Sequence, residues 1–507
     1  MKLVNLISSL KHYKTYNFDN AENIEITGIS FDSRELKQDE IFVAIKGENF
    51  DGQKFINSAI KNSASAIILE KTENISKCDV PFIVVPNSRK ALATLSAIFY
   101  NYPARKMKII GVTGTDGKTT TSTIIYNILK TAGYKVGLIT SINAVIGNKN
   151  FETGFHTTTP NAVHIQKYLS EMLSVGTEYV VIEASSHGLA QHRVDMCEFD
   201  IAVITNITQE HLDYHKNIQE YKEAKARLFH SLNTSFHKSN ISKTSILNKD
   251  DDSFNFLKVV KSDIQYIYGL DKQVDFSVED VQYSENGMKF RVKAPDDYFY
   301  LETNLLGKYN IYNILAAIAA VHSQKIPVKS IIKGIESIER IKGRMEIVHH
   351  NAGNFKIIID FAHTANALEK ALECANDIKT NNLIVVFGSA GLRDKYKRKA
   401  MGKIAGKLAD KIFITAEDPR TESLEDIMNE IAIGCEIANR KEGIDFWKIP
   451  DRKKAITNAI LLTQAGDVVI TCGKAHEKTM CFGKKEYPWN EYEAVKSALK
   501  MKISYNI

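Results

Sequence analysis

The sequence predicts a mixed α/β protein of three domains built largely on parallel sheets. Three observations predict it. Short, continuous apolar runs alternate with helix-patterned stretches along most of the chain; a glycine-rich stretch joins one such run directly to a helix; and 507 residues exceed what one hydrophobic core supports. The glycine-rich stretch, residues 111–121, is the most informative. It follows the apolar run 107–110 and opens a helical pattern over 122–130. Strand, glycine turn and helix N-terminus together make a phosphate cradle, because glycines let backbone N–H groups close on phosphate oxygens and the helix end adds partial positive charge. Lys118 would reach the terminal phosphates, and the Thr119 hydroxyl would hold Mg²⁺. The general G-x-x-x-x-G-K-[ST] pattern is incompletely met: Val112 stands where its first glycine falls, and Gly111 lies one residue early. A purely structural turn leaves Lys118-Thr119 directly after Gly117 unexplained. The segment predicts ATP or GTP binding.

The first segment, 1–105, carries strand-like runs at 41–45, 66–69 and 82–85 between helical stretches, a small α/β unit. A helix over 89–101 leads through Pro103 into the phosphate loop. The second segment, 106–340, continues with strands at 136–139, 179–182 and 201–204, apolar throughout as in buried parallel sheets. Between 232 and 300 the texture turns polar, with short Tyr/Phe-bearing strands that read as an antiparallel patch. An Ala/Ile-rich helix over 312–323 follows. The third segment, 341–507, restarts with strands at 356–359, 383–387, 412–414 and 467–470 and reads as Rossmann-like. No internal repeat or low-complexity linker interrupts the three.

Composition bounds the class. Apolar residues at 44% and charged residues at 25% describe an ordinary globular protein. A formal charge of +6 suits small anionic substrates and does not by itself point to nucleic acid. The basic cluster Arg393, Lys395, Lys397, Arg398 and Lys399 reads as a solvated helix face. Cys78, Cys197, Cys374, Cys435, Cys472 and Cys481 form no C-x-x-C pair, so reduced thiols are expected rather than disulfides or zinc. Residues 1–14 have apolar positions at helical spacing, broken by Asn5, Ser8, Ser9 and Lys11, and resemble neither a signal peptide nor a membrane span. A cytoplasmic protein without a membrane segment is expected.

Open α/β sheets bind ligands past the C-terminal ends of their strands, and polar clusters fall there. Glu183-Ala184-Ser185-Ser186-His187 follows the strand at 179–182; a carboxylate there can hold Mg²⁺ on ATP phosphates, or can be an ordinary cap. Asn206 and His211 follow the next strand. Asn217, with Glu220 three residues on, starts a helix through His230. On that helix Lys225 reads as surface decoration, no different by spacing from Lys222 and Arg227. In the third segment, residues 360–364, 388–391, 417–420 and 473–477 each follow a strand. Any one of these is compatible with a turn; four on one sheet edge predict a binding face for a ligand bearing both charges.

These residues, in this order, resemble the Mur ligases, ATP-dependent amide-bond-forming enzymes of bacterial cell-wall synthesis. Within them the chain is most similar to the type that adds a diamino acid to UDP-N-acetylmuramoyl-L-alanyl-D-glutamate. The resemblance spans nearly the whole chain. Phe31-Asp32-Ser33-Arg34 and Asp51-Gly52 look like the family's uridine-nucleotide-binding domain, implying contacts from Phe31 and Ser33. Gly114, Thr115, Asp116, Gly117, Lys118, Thr119 and Thr120 look like its ATP loop. Thr158, Thr159, Ser185, Gln191 and Arg193 match positions that hold the muramoyl-dipeptide. Lys225 matches the lysine that the family carbamylates with CO₂, an N6-carboxylysine. With Glu183 and His211 it would complete a second Mg²⁺ site, beside the metal held through Thr119. Asn310, Asn313, Arg344 and Asp360 match nucleotide contacts. Arg393, Glu417, Asp418, Pro419, Arg420, Gly473 and Glu477 match amino-acid contacts.

The resemblance implies acyl-phosphate chemistry with ATP and Mg²⁺, catalytic roles for Lys118, Glu183, His211 and Lys225, small-molecule substrates and a monomer. Two departures affect loop shape: Ala475 for a glycine of Gly-Lys-Gly-His-Glu, and Ala365-Asn366 for Pro-Asp. A third concerns selectivity. Members using meso-diaminopimelate read Asp-Asn-Pro-Arg where this chain reads Glu417-Asp418-Pro419-Arg420. The added acid should repel a distal carboxylate and favour L-lysine or L-ornithine, against the pull of Arg420. A folylpolyglutamate-type ligase shares the ATP loop and domain plan but not the N-terminal pattern or Thr158-Thr159-Pro160. A non-catalytic ATP-dependent module is the alternative of another class.

Overall fold

A computed structural model describes residues 1–19, 21–47, 51–72, 80–153, 158–208, 210–271 and 273–505; Cys78 lies outside them. The first sheet has five strands in the order Lys14–Tyr16, Phe82–Val84, Ala66–Leu69, Glu40–Val43 and Gly28–Ser30, parallel except for the first. Helix Ser88–Phe99 packs against it, its first turn capped by Asn87, whose side chain accepts from Lys90 N. The helical spacing of residues 1–14 yields only the short helix Leu3–Ile7 and then the edge strand Lys14–Tyr16. Ser8 ends the helix, its hydroxyl returning to Asn5 O at 2.8 Å in competition with the backbone ladder.

The central sheet has eight strands. Six are parallel: Ile264–Tyr268, Thr244–Asn248, Ile201–Ile204, Lys108–Thr113, Tyr179–Glu183 and Val136–Ile139; the antiparallel hairpin Ala144–Ile146 and Lys149–Phe151 closes one edge. The antiparallel patch expected over 232–300 is therefore smaller. Only Ser277–Ser284, Gly287–Lys293 and Tyr298–Thr303 form one, while 244–248 and 264–268 extend the parallel sheet. The misleading polarity has a physical source: Lys238 and Lys243 are buried on Asp200, itself 1% exposed, with Lys243 Nζ donating to Asp200 Oδ1 at 3.0 Å. Charges that read as surface are neutralised inside. Helix Tyr309–His322, apolar on nearly every face, packs on helix Lys118–Thr131 under this sheet.

The third sheet runs Glu346–Ile347, Lys356–Asp360, Val468–Cys472, Leu383–Phe387, Lys411–Ile414 and Phe446–Lys448, parallel except for the first strand, with apolar cores on both faces. The basic cluster at 393–399 is a solvated face only in part, with Lys395 and Lys399 exposed. Arg398 is fully buried and Lys397 is 8% exposed, at the start of helix Tyr396–Leu408. Gly402 and Gly434 bring this helix against Leu424–Ile437 so closely that a Cβ on Gly402 would lie 1.9 Å from Ile431 O. Arg398 is enclosed by that contact and donates from Nη1 to Glu422 and Glu430, each at 3.0 Å. No helix among the described residues is long and apolar enough to cross a membrane.

Candidate active site

The phosphate-loop strand lies in mid-sheet, where the connections diverge to either side, so its C-terminal end opens on a crevice. Gly117 (φ 83°) takes the left-handed backbone that turns the chain into helix Lys118–Thr131. A Cβ there would lie 2.2 Å from Asn313 Oδ1. The neighbouring strand holds the loop: Asp116 N donates to Asn206 Oδ1 at 3.0 Å, and Thr205 Oγ1 donates to Asp116 O at 2.6 Å. Asn313 Nδ2 donates to Asn310 Oδ1 at 2.8 Å, which fixes both amides behind the glycine turn. Lys118 Nζ folds back on Thr115 O at 2.8 Å.

Glu183 closes its strand facing the loop. Its Oε2 accepts from the Thr119 hydroxyl at 2.9 Å and from Ser141 N at 3.0 Å, while Arg344 Nη2 donates to Thr119 Oγ1 at 3.1 Å. A hydroxyl and a carboxylate in contact, with space beside them, fit the Mg²⁺ preference for one or two protein oxygens plus phosphates and water. Among the described residues no cluster of three His, Cys, Asp or Glu side chains is set to hold a metal. A site here therefore needs the Thr119 hydroxyl or a modified Lys225.

Lys225 is 1% exposed, contrary to its surface appearance in the helix pattern. Its Nζ donates to Gly114 O at 2.6 Å and lies 4.4 Å above the Tyr221 ring. Burial, with Lys118 nearby, pushes the amine well below the ordinary lysine range. That favours the neutral amine, the form that reacts with CO₂. His211 (φ 57°) stands perpendicular to His187, ring centroids 4.7 Å apart. Burial drives His211 well below the usual imidazole range and His187 to about 3, so both rings keep a lone pair at neutral pH.

One cavity of about 520 Å³ joins these residues to the third sheet. Gly114 to Thr120, Glu183, His211, Lys225, Asn310, Asn313, Thr158 and Ser185 line one side; Arg344, Asp360, Arg393, Glu417, Asp418, Arg420, Gly473 and Glu477 line the other. Asp360 fastens residues 345 and 362 to the end of its strand, its Oδ2 accepting from Met345 N and its Oδ1 from Ala362 N, each at 2.7 Å. Contacts that bridge the cleft include Lys397–Glu210 at 3.5 Å, Asn366 Nδ2 donating to Asp116 Oδ2 at 2.8 Å, Arg344 on Thr119, and Lys478 on Glu152. Asn366, which departs from the family pattern, is thus a cross-cleft donor. Ala475, the other departure, keeps a positive φ of 34°.

Several expected site residues stand outside the cavity lining. Thr159 Oγ1 donates to Glu183 O at 2.9 Å and Ser185 Oγ at 3.0 Å, which makes it a brace behind the site. Gln191 Oε1 accepts from Arg193 Nη2 at 2.7 Å and from Arg89 Nη1, in the first unit, at 3.2 Å. Phe31 meets His164 edge-on at 6.0 Å, and Ser33 O accepts from Asn62 Nδ2 at 2.7 Å. Pro419 O faces Gly391.

The loops 417–420 and 473–477 carry a charge arrangement the sequence hid. Asp418 is 4% exposed and its two oxygens accept from Lys474 Nζ at 3.0 and 3.1 Å; its Oδ1 also accepts from Cys481 N at 2.9 Å. The acid expected to be free at this position is therefore held by a lysine of the neighbouring loop, which also pairs with Glu477. Arg420 Nη1 donates to Gly391 O at 3.0 Å. Beneath both loops lies Arg452, 2% exposed, which donates to Ala416 O at 3.2 Å and Cys472 O at 2.8 Å and is paired twice with Glu491. Arg89, Lys397 and Arg452 were not singled out from the sequence as functional; only Lys397, within the basic cluster, gave any local signal.

A phosphate loop opposed across one cavity by a second sheet's charged loops fits a ligase, which activates one substrate with a nucleotide and presents a second to it. Comparison with known proteins gives the class its family. Residues 25–100 match the Mur ligase family catalytic domain, 112–321 the Mur ligase middle domain and 343–475 the Mur ligase glutamate ligase domain. The chain is 37% identical over 500 residues, 98% of its length and 99% of the relative's, to a Bacillus licheniformis protein named UDP-N-acetylmuramoyl-L-alanyl-D-glutamate-2,6-diaminopimelate ligase. It is 37% identical over 485 residues, 94% of this chain and 95% of the relative, to a UDP-N-acetylmuramyl-tripeptide synthetase of Roseiflexus sp.. A solved structure of a UDP-N-acetylmuramoyl-L-alanyl-D-glutamate-2,6-diaminopimelate ligase superposes with a TM-score of 0.64 at 28% identity, covering 95% of this chain and 96% of that one. The chain belongs to the Mur ligase family, ATP-dependent ligases that form amide bonds.

Proposed function

We propose that this protein joins 2,6-diaminopimelate to the D-glutamyl γ-carboxylate of UDP-N-acetylmuramoyl-L-alanyl-D-glutamate through an acyl phosphate. The observation that carries this reading is the single cavity holding both the phosphate loop with Glu183 and the loops 417–420 and 473–477. Residues 1–105 would take the nucleotide sugar with Phe31 and Ser33, 106–340 the ATP, and 341–507 the amino acid. Thr158, Thr159, Ser185, Gln191 and Arg193 would guide the dipeptide toward the loop.

The γ-carboxylate attacks the γ-phosphate of ATP while Lys118 and the backbone N–H groups of the loop take up developing charge. Thr119 and Glu183 would hold Mg²⁺, and Glu183, His211 and carbamylated Lys225 a second ion; the metals supply charge neutralisation on the transferring phosphoryl group. Lys225 suits carbamylation because burial favours its neutral amine. The amine of the incoming amino acid then attacks the acyl carbon and phosphate leaves. The cross-cleft contacts keep water from that intermediate.

The choice of diaminopimelate rests on two points. Asp418 is buried and held by Lys474, which it shares with Glu477, so it is not the free acid from which the argument for lysine or ornithine starts. The Arg420 guanidinium, which gives one N–H to Gly391 O, keeps further donors that suit a distal carboxylate, and the Bacillus licheniformis relative is named for diaminopimelate. Phosphate release with ATP, Mg²⁺ and the nucleotide-dipeptide, offering meso-diaminopimelate, lysine and ornithine separately with product masses checked, tests this. Turnover with lysine or ornithine alone would restore the other amino acid. Silence with all three and activity on a folate would move the chain to the folylpolyglutamate type.

A further inference from the structure

Arg344 reaches the phosphate loop from residues 341–346, between helix Val328–Glu336 and the third sheet. Its Nη2 donates to Thr119 Oγ1 at 3.1 Å, and its Cζ stands 4.8 Å over the Phe361 ring. An arginine side chain has many rotamers to lose, so where its tip falls depends on how firmly its backbone is set. Here the backbone is held from several sides. Met345 N donates to Asp360 Oδ2 at 2.7 Å, and Glu346 and Ile347 pair with Ile359 and Ile358. Gly343, with φ 65°, passes so close to the loop 473–477 that a Cβ on it would lie 2.7 Å from Ala475 Cβ.

A further hold comes from the last helix, Glu491–Tyr505, outside the cavity lining. Glu346 is 7% exposed, and its Oε2 accepts from Gly343 N at 2.9 Å and from the Tyr492 hydroxyl at 2.5 Å. One oxygen thus closes the turn around Arg344 and is itself pinned by a tyrosine 146 positions on. Hydrogen bonds to a buried, ionised acceptor are stronger than neutral ones. Arg340, an exposed side chain, approaches the other oxygen of Glu346 at 3.6 Å, a weaker hold. Burial and the bond to Glu346 push the Tyr492 hydroxyl above the ordinary phenol range, so it keeps the proton it donates. Its neighbour Glu491 is paired with Arg452 beneath the loops 417–420 and 473–477.

We propose that Tyr492 is a positioning residue for the ligation: its hydroxyl, through Glu346, sets the turn 343–346 so that Arg344 meets the phosphate loop. This rests on the ligase reading above. A guanidinium held at the Thr119 hydroxyl stands beside the phosphates that the loop would bind, where its fixed fork of N–H groups can take up charge on the transferring phosphoryl group. Such a donor acts only when it is already in place, and a shift of about 1 Å can cost about 10²-fold. Tyr492 touches neither substrate nor loop; it acts through Glu346 and Arg344. Because Glu491 continues into Arg452, the same helical turn also supports the loops on the other side of the cavity.

Tyr492→Phe removes the donor and keeps the ring. The expected result is a kcat for phosphate release, with ATP, the UDP-dipeptide and diaminopimelate, lowered about 10- to 100-fold. The KM for diaminopimelate should stay, since Glu491 and Arg452 remain paired. Hydrogen exchange over 341–346 should quicken with Tm nearly unchanged. Glu346→Gln, which keeps an oxygen acceptor, should recover much of the rate that Glu346→Ala loses. A double-mutant cycle with Arg344→Ala, followed by product mass over long incubations, decides the route: the Tyr492→Phe loss should nearly vanish once Arg344 is gone. An equal loss in both backgrounds, or a kcat that falls only as Tm falls, would make the tyrosine structural; unchanged kcat and exchange would give it no part in the reaction. Each of these overturns the proposal. A wild type silent with every amino acid would instead overturn the ligase reading itself.

Discussion

Lys397 and Glu210 face each other 3.5 Å apart across the cleft, 8% and 4% exposed, one on the third sheet's helix and the other on the loop that leads into His211. Their pairing lets two buried charges coexist. Burial, with Asp116 and Asp394 nearby, raises the Glu210 carboxyl, and Lys397 opposes that rise.

Removing one partner strands the other. Lys397→Met should cost the closed arrangement about 3–5 kcal/mol, the range for breaking a buried pair. The double variant Glu210→Gln/Lys397→Met should recover part of that loss. A double-mutant cycle on kcat/KM for the amino acid measures the coupling; additive losses would show that the pair does not join the two sides.

Lys225→Ala should abolish ligation while leaving nucleotide-sugar binding intact, since the lesion lies between the Gly114 carbonyl and Tyr221 rather than in the first unit. Titration calorimetry with the UDP-dipeptide reads the binding, and phosphate release the activity. Full activity in the variant would remove carbamylation from the reaction.

Gly117→Ala meets two penalties. A left-handed φ of 83° costs a β-carbon residue about 1–3 kcal/mol in this region. The new methyl would also press on Asn313 Oδ1. ATP affinity should fall about tenfold or more, with binding of the UDP-dipeptide unchanged, as measured by competition with a fluorescent nucleotide.

Gly391→Ala should act on the other substrate. Its Cβ would lie 2.0 Å from Pro419 O, a backbone atom, and would push the loop 417–420 away from its partner. A shift of about 1 Å in a positioning loop can cost about 10²-fold. The loss should appear in kcat/KM for the diamino acid and spare the KM for ATP.

Much of this site was legible because chemistry clusters at strand ends. The phosphate loop, Glu183, His211 and the loops 360–364, 417–420 and 473–477 stand where the alternation of strands and helices places them, and one cavity gathers them. What stayed hidden depends on tertiary packing. Lys225 shares its helix with Lys222 and Arg227, and only the fold turns it alone of the three inward. Lys397 and Arg398 read as solvated because the partners that bury them, Glu210 across the cleft and Glu422 and Glu430 on the next loop and helix, lie outside the local pattern. The ion pair of Asp418 was equally invisible, since its partner Lys474 lies 56 positions away.

Arg452 has a consequence for descent. Because one guanidinium fastens the strand ends before Glu417 and Gly473, the two loops share a foundation and inherit each other's displacements. A lineage that exchanged one diamino acid for another by remodelling the first loop would disturb the second, and would have to alter both in step or pass through a crippled ancestor. Grafting a single loop from a relative of different preference should therefore fail where grafting the pair, with Arg452 and Glu491 retained, succeeds.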